Sequence, residues 1–172
     1  EMPLYFSPPG FTETPTFRRS EAHDIVSAEC AAARNKVGVL DTTGFSRFEI
    51  SGPQAREYLD RLLAAKLPPP GGVKLAPMLS PSGRLLGDLT VFNWDDRRWW
   101  IMGSYYLREW HMRWFESQSP KSGVQITDLS DSTSGFAIFG PNARELLARV
   151  TPQDVSNSAF RFIPVEMSSG SG

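Results

Sequence analysis

Asp88 is the ionisable residue whose setting most invites chemistry. It stands in Arg84-Leu-Leu-Gly-Asp-Leu-Thr-Val-Phe92, just after the Gly83 turn, where period-two alternation puts it on one strand face with Leu86, Thr90 and Phe92. A carboxylate disfavours a strand, and burial raises its pKa unless something compensates. Such a group is exposed at an edge, paired with Arg or Lys, or poised to move a proton or stabilise a cation. The other reactive side chains form weaker patterns. His111, between Trp110 and Met112 in a helical stretch, is expected to be partly buried or on the surface. His23 has no second histidine or cysteine at metal spacing, and Cys30, in an Ala-rich stretch, reads as a small core residue. A single cysteine excludes an intramolecular disulfide and fits a reducing compartment. With two histidines beside it no metal site is expected. Phosphate loop, nucleophile elbow and dinucleotide fingerprint are all absent.

The composition is that of a folded protein: 40% hydrophobic and 22% charged residues, with five Trp and eleven Phe in 172 residues. Eighteen Lys and Arg against nineteen Asp and Glu leave a formal charge of −1, so there is no overall pull towards nucleic acid or anionic lipid. Trp99-Trp100 beside Arg97-Arg98 marks a buried strand in preference to a base-stacking surface. The apolar runs are short of the roughly 18 residues needed to span a membrane. Neither nucleic acid nor membrane is an expected partner.

The elements that must position Asp88 can be read from periodicity and turn residues. Residues 1–20, with Pro3, Pro8, Pro9 and Pro15, form an extended arm whose Leu4, Tyr5, Phe6, Phe11 and Phe17 pack onto something. A helix follows from Ser20 as N-cap to a stop at Gly38, burying Ile25, Cys30, Ala33 and Val37. Gly44 to Ile50 alternates as a strand, and Gly52-Pro53 opens a helix with Ala55, Tyr58, Leu59, Leu62 and Leu63 on one face. Strands at Val73 to Leu79, Leu85 to Trp94 and Arg98 to Gly103 make an antiparallel meander through the turns Ser80-Pro-Ser-Gly83 and Asp95-Asp96. Tyr105 to Gln118 suits a helix with Leu107, Trp110, Trp114 and Phe115 as its stripe. Strands at Val124 to Leu129 and Gly135 to Phe139 and a helix at Asn142 to Val150 complete the pattern. Gly-Pro-x-Ala-Arg-Glu-x-Leu-x-Arg occurs in register at Gly52 and Gly140, both times between a strand and a helix, which points to shared scaffold. The fold class is α+β: antiparallel sheets with packed helices, and split βαβ (ferredoxin-like) units near 44–67 and 135–150.

The order of these motifs resembles the folate-binding aminomethyltransferase family, typified by the T-protein of the glycine cleavage system. Arg34 to Ala55, read on to Leu62, is similar to that family's amino-terminal helix, G-x-x-D, strand and Gly-Pro turn. Pro77 to Val91 resembles its central hairpin, and Asp131 to Val150 its second Gly-Pro turn. The dimethylglycine and sarcosine dehydrogenase-like branch looks closest, through Pro3 to Pro9, Gly87-Asp-Leu-Thr-Val91 and His111 to Phe115. This sequence departs from glycine-cleavage members at Leu75-Ala76, where Tyr-Thr is common, at Gly87, where they carry a first aspartate, and at Gly103, where they carry Asn.

The resemblance implies the amino-terminal part of a T-protein-like fold, with residues 21–167 as an incomplete folate-binding region and 168–172 as a flexible tail or truncation. It implies a parent enzyme that transfers a one-carbon unit from a methylated amine to tetrahydrofolate, with Asp88 as the catalytic carboxylate and Met78, Ser104 and Tyr105 as pocket residues. The isolated fragment is expected to be inactive. FAD is expected only in an upstream amine-dehydrogenase domain, and the location is cytoplasmic, or the mitochondrial matrix in a eukaryote. The alternative is a folate-binding or regulatory module without transfer chemistry.

Overall fold

The meander predicted around Asp88 forms three adjoining strands of one sheet. A computed structural model describes residues 7–160, so Leu4 to Phe6 of the arm and the tail at 168–172 lie outside the described residues. In chain order the elements are α1 (Ala22–Asn35), β1 (Gly38–Asp41), β2 (Phe45–Ser51), α2 (Ala55–Leu62), β3 (Val73–Leu79), β4 (Leu85–Asn93) and β5 (Arg98–Ser104). A 3-10 turn (Tyr105–Leu107), α3 (Arg108–Gln118), β6 (Gln125–Asp128), β7 (Phe136–Phe139) and α4 (Ala143–Leu147) follow. Residues 7–20 hold neither helix nor strand.

The chain divides into two units, one combining residues up to Thr42 with Gly135–Ala159, the other built on Thr43–Ser134. The second contains a five-stranded antiparallel sheet of order β3-β4-β5-β2-β6. Its turns follow from their residues. Gly83 takes φ +76 and donates its N–H to Ser80 O at 2.9 Å, closing the β3–β4 hairpin. At the β4–β5 turn Asp96 adopts φ +65, held because its N–H donates to Asn93 Oδ1 at 2.8 Å while Asn93 Nδ2 donates to Pro68 O at 2.9 Å.

One face of this sheet is covered by α2 and α3. Phe48, Ile50, Ala76, Met78, Leu89, Val91, Trp99 and Ile101 project into a core with Tyr58, Leu59 and Phe115. The Tyr58 hydroxyl donates to Phe115 O at 2.8 Å, and the Phe48 and Phe115 rings meet edge to face at 5.1 Å. The predicted stripe on α3 is rotated by one residue: His111 and Phe115 are the fully buried pair, flanked by half-buried Trp110 and Trp114.

The first unit holds α1, α4 and a two-stranded sheet pairing β1 with β7, Val39 opposite Ile138. Four residues of β1 are too few to show alternation in the sequence, which is why no strand is expected between the helix stop at Gly38 and the strand from Gly44. Ser20 does not cap α1: its hydroxyl donates to Glu13, and Glu21 flanks the helix with no side-chain cap bond. Cys30 is exposed and is not a core residue, because α1 turns Ile25, Ala32 and Ala33 to its more sheltered side.

The two Gly-Pro turns are built alike. Gly52 and Gly140 take φ +120 and +103, a region closed to most other residues. Gln54 N–H donates to Gly123 O at 3.0 Å, and Asn142 N–H donates to Lys36 O at 2.9 Å. The sequence repeat therefore encodes the same backbone device in each unit, as expected of scaffold.

Candidate functional site

Asp88 sits in β4 opposite Pro77 of β3, with its carboxylate on the sheet face away from α2 and α3. From Gly87 onward the alternation is as the sequence reads it. Gly87, Leu89, Val91 and Asn93 are buried on the covered face, Thr90 and Phe92 are half-buried on the other, and Asp88 itself is exposed; Leu86, expected beside Asp88, instead packs against the core next to the irregularity in the β3 pairing. Register carries the uncovered face across the sheet. Leu75 lies opposite Thr90, Thr90 opposite Met102, and Phe92 opposite Trp100, which in turn faces Glu49. Leu75 is 66% exposed, an apolar side chain with little cover in the described chain.

Charges on this face are distributed unevenly. Glu49 Oε2 accepts from Arg98 Nε at 2.8 Å and from Trp100 Nε1 at 3.0 Å, so its charge is already paired. Arg47, 6% exposed, donates to the carbonyls of Thr43 and Phe45, each at 3.1 Å. Asp88 makes no side-chain hydrogen bond or ion pair with any described residue. It is exposed at the margin of a face formed by Leu75, Thr90, Phe92 and Met102.

Ser104 lies on the same face. The β4–β5 ladder ends at Thr90↔Met102, and two residues further along the two strands stand Asp88 and Ser104. Ser104 is exposed, and its carbonyl accepts from the Ser46 hydroxyl at 3.3 Å. Tyr105 begins the 3-10 turn that follows, and its hydroxyl is already engaged: it donates to Asp131 Oδ1 at 3.2 Å and accepts from Arg108 Nη1 at 3.1 Å. Arg108 also holds Asp128 Oδ2 at 2.5 Å and Asp131 Oδ2 at 2.8 Å. Asp131, then Asp128, raises the guanidinium pKa, and Arg108 in return holds Asp131 below the usual carboxylate range. Burial opposes the charge on Asp128, but hydrogen bonds from Ser130 and Arg108 outweigh it and lower its pKa. This cluster braces the start of α3 against β6. Met78 is elsewhere: one residue on from Pro77, it falls on the opposite face, fully buried in the core, and shares no surface with Asp88. Pleat alternation separates two residues that look adjacent in the hairpin motif.

His111 is the residue that sequence reasoning undervalued. It is 1% exposed, directly behind the Asp88 strand, with Nε2 3.4 Å from Leu86 O. Burial pushes its pKa below the ordinary value. The available signal was the pair of glycines, Gly87 and Gly103, inside strands, where glycine marks a close approach by another group. A cavity of about 230 Å³ lies on the helix side, lined by Tyr58, Arg61, Leu62, Leu79, Trp114 and Gln118, so it does not include Asp88. Among the described residues there is no cluster of potential metal ligands and no helix long and apolar enough to cross a membrane.

Comparison with known proteins shows the family and the fold. Dimethylglycine dehydrogenase, mitochondrial, of Mus musculus is 30% identical over 167 residues, covering 95% of this chain and 19% of that protein. An aminomethyltransferase of Desulforamulus reducens is 31% identical over 144 residues, 82% of this chain and 39% of that one. The chain thus spans a minor part of the curated relatives it matches. The fold is similar to that of the glycine cleavage system aminomethyltransferase T from Bartonella henselae. The TM-score is 0.65 at 21% identity, over 71% of this chain and 34% of that one. The family model for the GCVT N-terminal domain matches residues 1–170, and the chain belongs to that family.

Proposed function

We propose that this chain supplies the Asp88 side of a tetrahydrofolate-dependent one-carbon transferase. It would act within a larger dimethylglycine or sarcosine dehydrogenase-like or glycine-cleavage-like enzyme. The observation that carries this reading is the unpaired Asp88 carboxylate on a largely apolar sheet face where Glu49 is already held by Arg98. Family membership supports the same reaction class.

The residues present fit a flat, amine-bearing ligand. Leu75, Thr90, Phe92 and Met102 offer a broad floor, and Asp88 offers an acceptor at its margin with the Ser104 hydroxyl nearby in register. Bound tetrahydrofolate would supply the nucleophilic amine. The part played by Asp88 is to accept a hydrogen bond from that N–H, stabilise positive charge at an iminium-like carbon, and take up the proton released as the new C–N bond forms. In bulk water a carboxylate 4 Å from a cation gains only about 1 kcal/mol, against about 4 kcal/mol at a lower effective dielectric near a protein surface. An exposed Asp88 therefore becomes effective only when the ligand covers it. Tyr105 and Arg108 brace the adjoining turn. Met78 contributes through the core. The sequence carries no dinucleotide fingerprint. FAD chemistry in this reading belongs to a separate dehydrogenase domain, and the location to the cytoplasm or the mitochondrial matrix.

The competing reading is a folate-binding or regulatory module, which the exposure of Asp88 on an open sheet face also fits. Calorimetric titration of the full gene product with tetrahydrofolate, followed by an assay for methylenetetrahydrofolate, separates the two. The transferase reading expects both binding and turnover with a methylated amine. Binding without turnover makes the chain a module, and absence of binding ends both readings.

A further inference from the structure

The strand segment that presents Asp88 is paired along its length with β3 but lacks β5 as a second neighbour. Its partner Pro77 has no N–H to give, and the Pro77 carbonyl accepts from Ala64 N–H at 2.8 Å. On the other side the ladder to β5 covers only Thr90 to Asn93. A register shift between Met78 and Leu79 further loosens this end of the hairpin.

His111 occupies the space behind that segment. A Cβ placed on Gly87 would stand 2.8 Å from His111 Nε2, and one on Gly103 would stand 3.4 Å from Nδ1. The two glycines thus open a hollow on the covered face, and the imidazole fills it. Its ring is held from behind by Phe115, near-parallel at 6.1 Å, and by the edge of Trp110 at 5.6 Å. Nε2 faces the Leu86 carbonyl at 3.4 Å, which assigns the proton to Nε2 and leaves Nδ1 as a buried acceptor without a partner. A buried, half-satisfied imidazole is a costly way to fill an apolar hollow. What it provides that a leucine would not is an N–H to the backbone two residues before Asp88.

We propose that His111 is the positioning residue for Asp88: it fills the hollow left by Gly87 and Gly103 and, through Nε2–H, holds the Leu86 carbonyl, fixing the backbone from which the carboxylate projects on the other face. This rests on the reading of Asp88 given above. His111 does not touch the reacting atoms.

The test uses the full gene product with His111→Leu, which fills space without a donor, His111→Gln, which restores an N–H, and Gly87→Ala, which keeps the histidine but drives a methyl towards its ring. Transfer rate at saturating substrates, tetrahydrofolate affinity and amide exchange of the peptide covering 85–92 are measured for each. Expected are a roughly tenfold lower kcat for His111→Leu and Gly87→Ala with folate affinity within about twofold, faster exchange confined to 85–92, and substantial recovery in His111→Gln. Unchanged kcat, or exchange accelerated equally in 45–51 and 85–92, overturns the proposal, since the latter marks general destabilisation. The Asp88→Asn variant separates the two claims. If it transfers normally the Asp88 reading fails, and faster exchange confined to 85–92 in His111→Leu still establishes that His111 holds the segment.

Discussion

At the scale of single residues, the chemistry was legible where a side chain broke a pattern and illegible where it completed one. Asp88 interrupts an apolar alternation, so its face could be assigned from spacing, and the structure puts it with Thr90 and Phe92. Met78 and Asp88 lie close in the hairpin motif but on opposite faces, a distinction that depends on the Pro77↔Asp88 register. His111 itself gave no sign: its partners are a backbone carbonyl and two glycines, and only the glycines inside strands hinted at a close approach. Its burial has a measurable consequence. Burial lowers the imidazole pKa from 6.5, with the Leu86 carbonyl acting in the other direction. The unfolded chain therefore takes up a proton before the folded one, so stability is intact above the ordinary value and is lost as pH falls from there towards the depressed folded value. The urea midpoint is expected to fall as pH drops below the ordinary imidazole value, and His111→Leu to flatten that slope. An equal slope in the variant would assign the acid sensitivity to other groups.

At the scale of elements, turn chemistry was the most readable layer. Gly83, Asp96 and the two Gly-Pro turns all take left-handed backbone where the sequence marked a turn. The boundaries that went unread were those decided by tertiary partners: β1 forms because β7 pairs with it, and α1 starts without the Ser20 cap because that hydroxyl bonds Glu13. The repeated glycines can be tested directly. A Cβ on Gly52 would lie 2.5 Å from Gly123 O, and one on Gly140 would lie 2.7 Å from Lys36 O, so each alanine meets both backbone strain and a fixed carbonyl. Gly83 has a similar φ of +76 with nothing near. Chemical denaturation is expected to show Gly52→Ala and Gly140→Ala each losing about 2–4 kcal/mol, against about 1 kcal/mol for Gly83→Ala. Equal losses at all three sites would show that the carbonyl contacts contribute nothing.

At the scale of the whole molecule, the α+β class and the repeat were visible in the sequence, but the division into units was not. One unit is assembled from two stretches separated by Thr43–Ser134 of the other, and local periodicity carries no record of such pairing. The comparison of the units is informative in itself. β2 has neighbours on both sides, β5 and β6, whereas β7 has only β1, with Phe136 61% and Val39 55% exposed. Two-stranded sheets are marginal alone, so the five-stranded unit is the firmer platform, and it is the one that carries Asp88. The account as a whole stands on what that carboxylate does once a ligand covers its face. The most direct measurement is the rate of methylenetetrahydrofolate formation by the full gene product carrying Asp88→Asn, at saturating tetrahydrofolate and amine. The account predicts a fall of about 10²-fold or more with folate affinity little changed; an undiminished rate would contradict it.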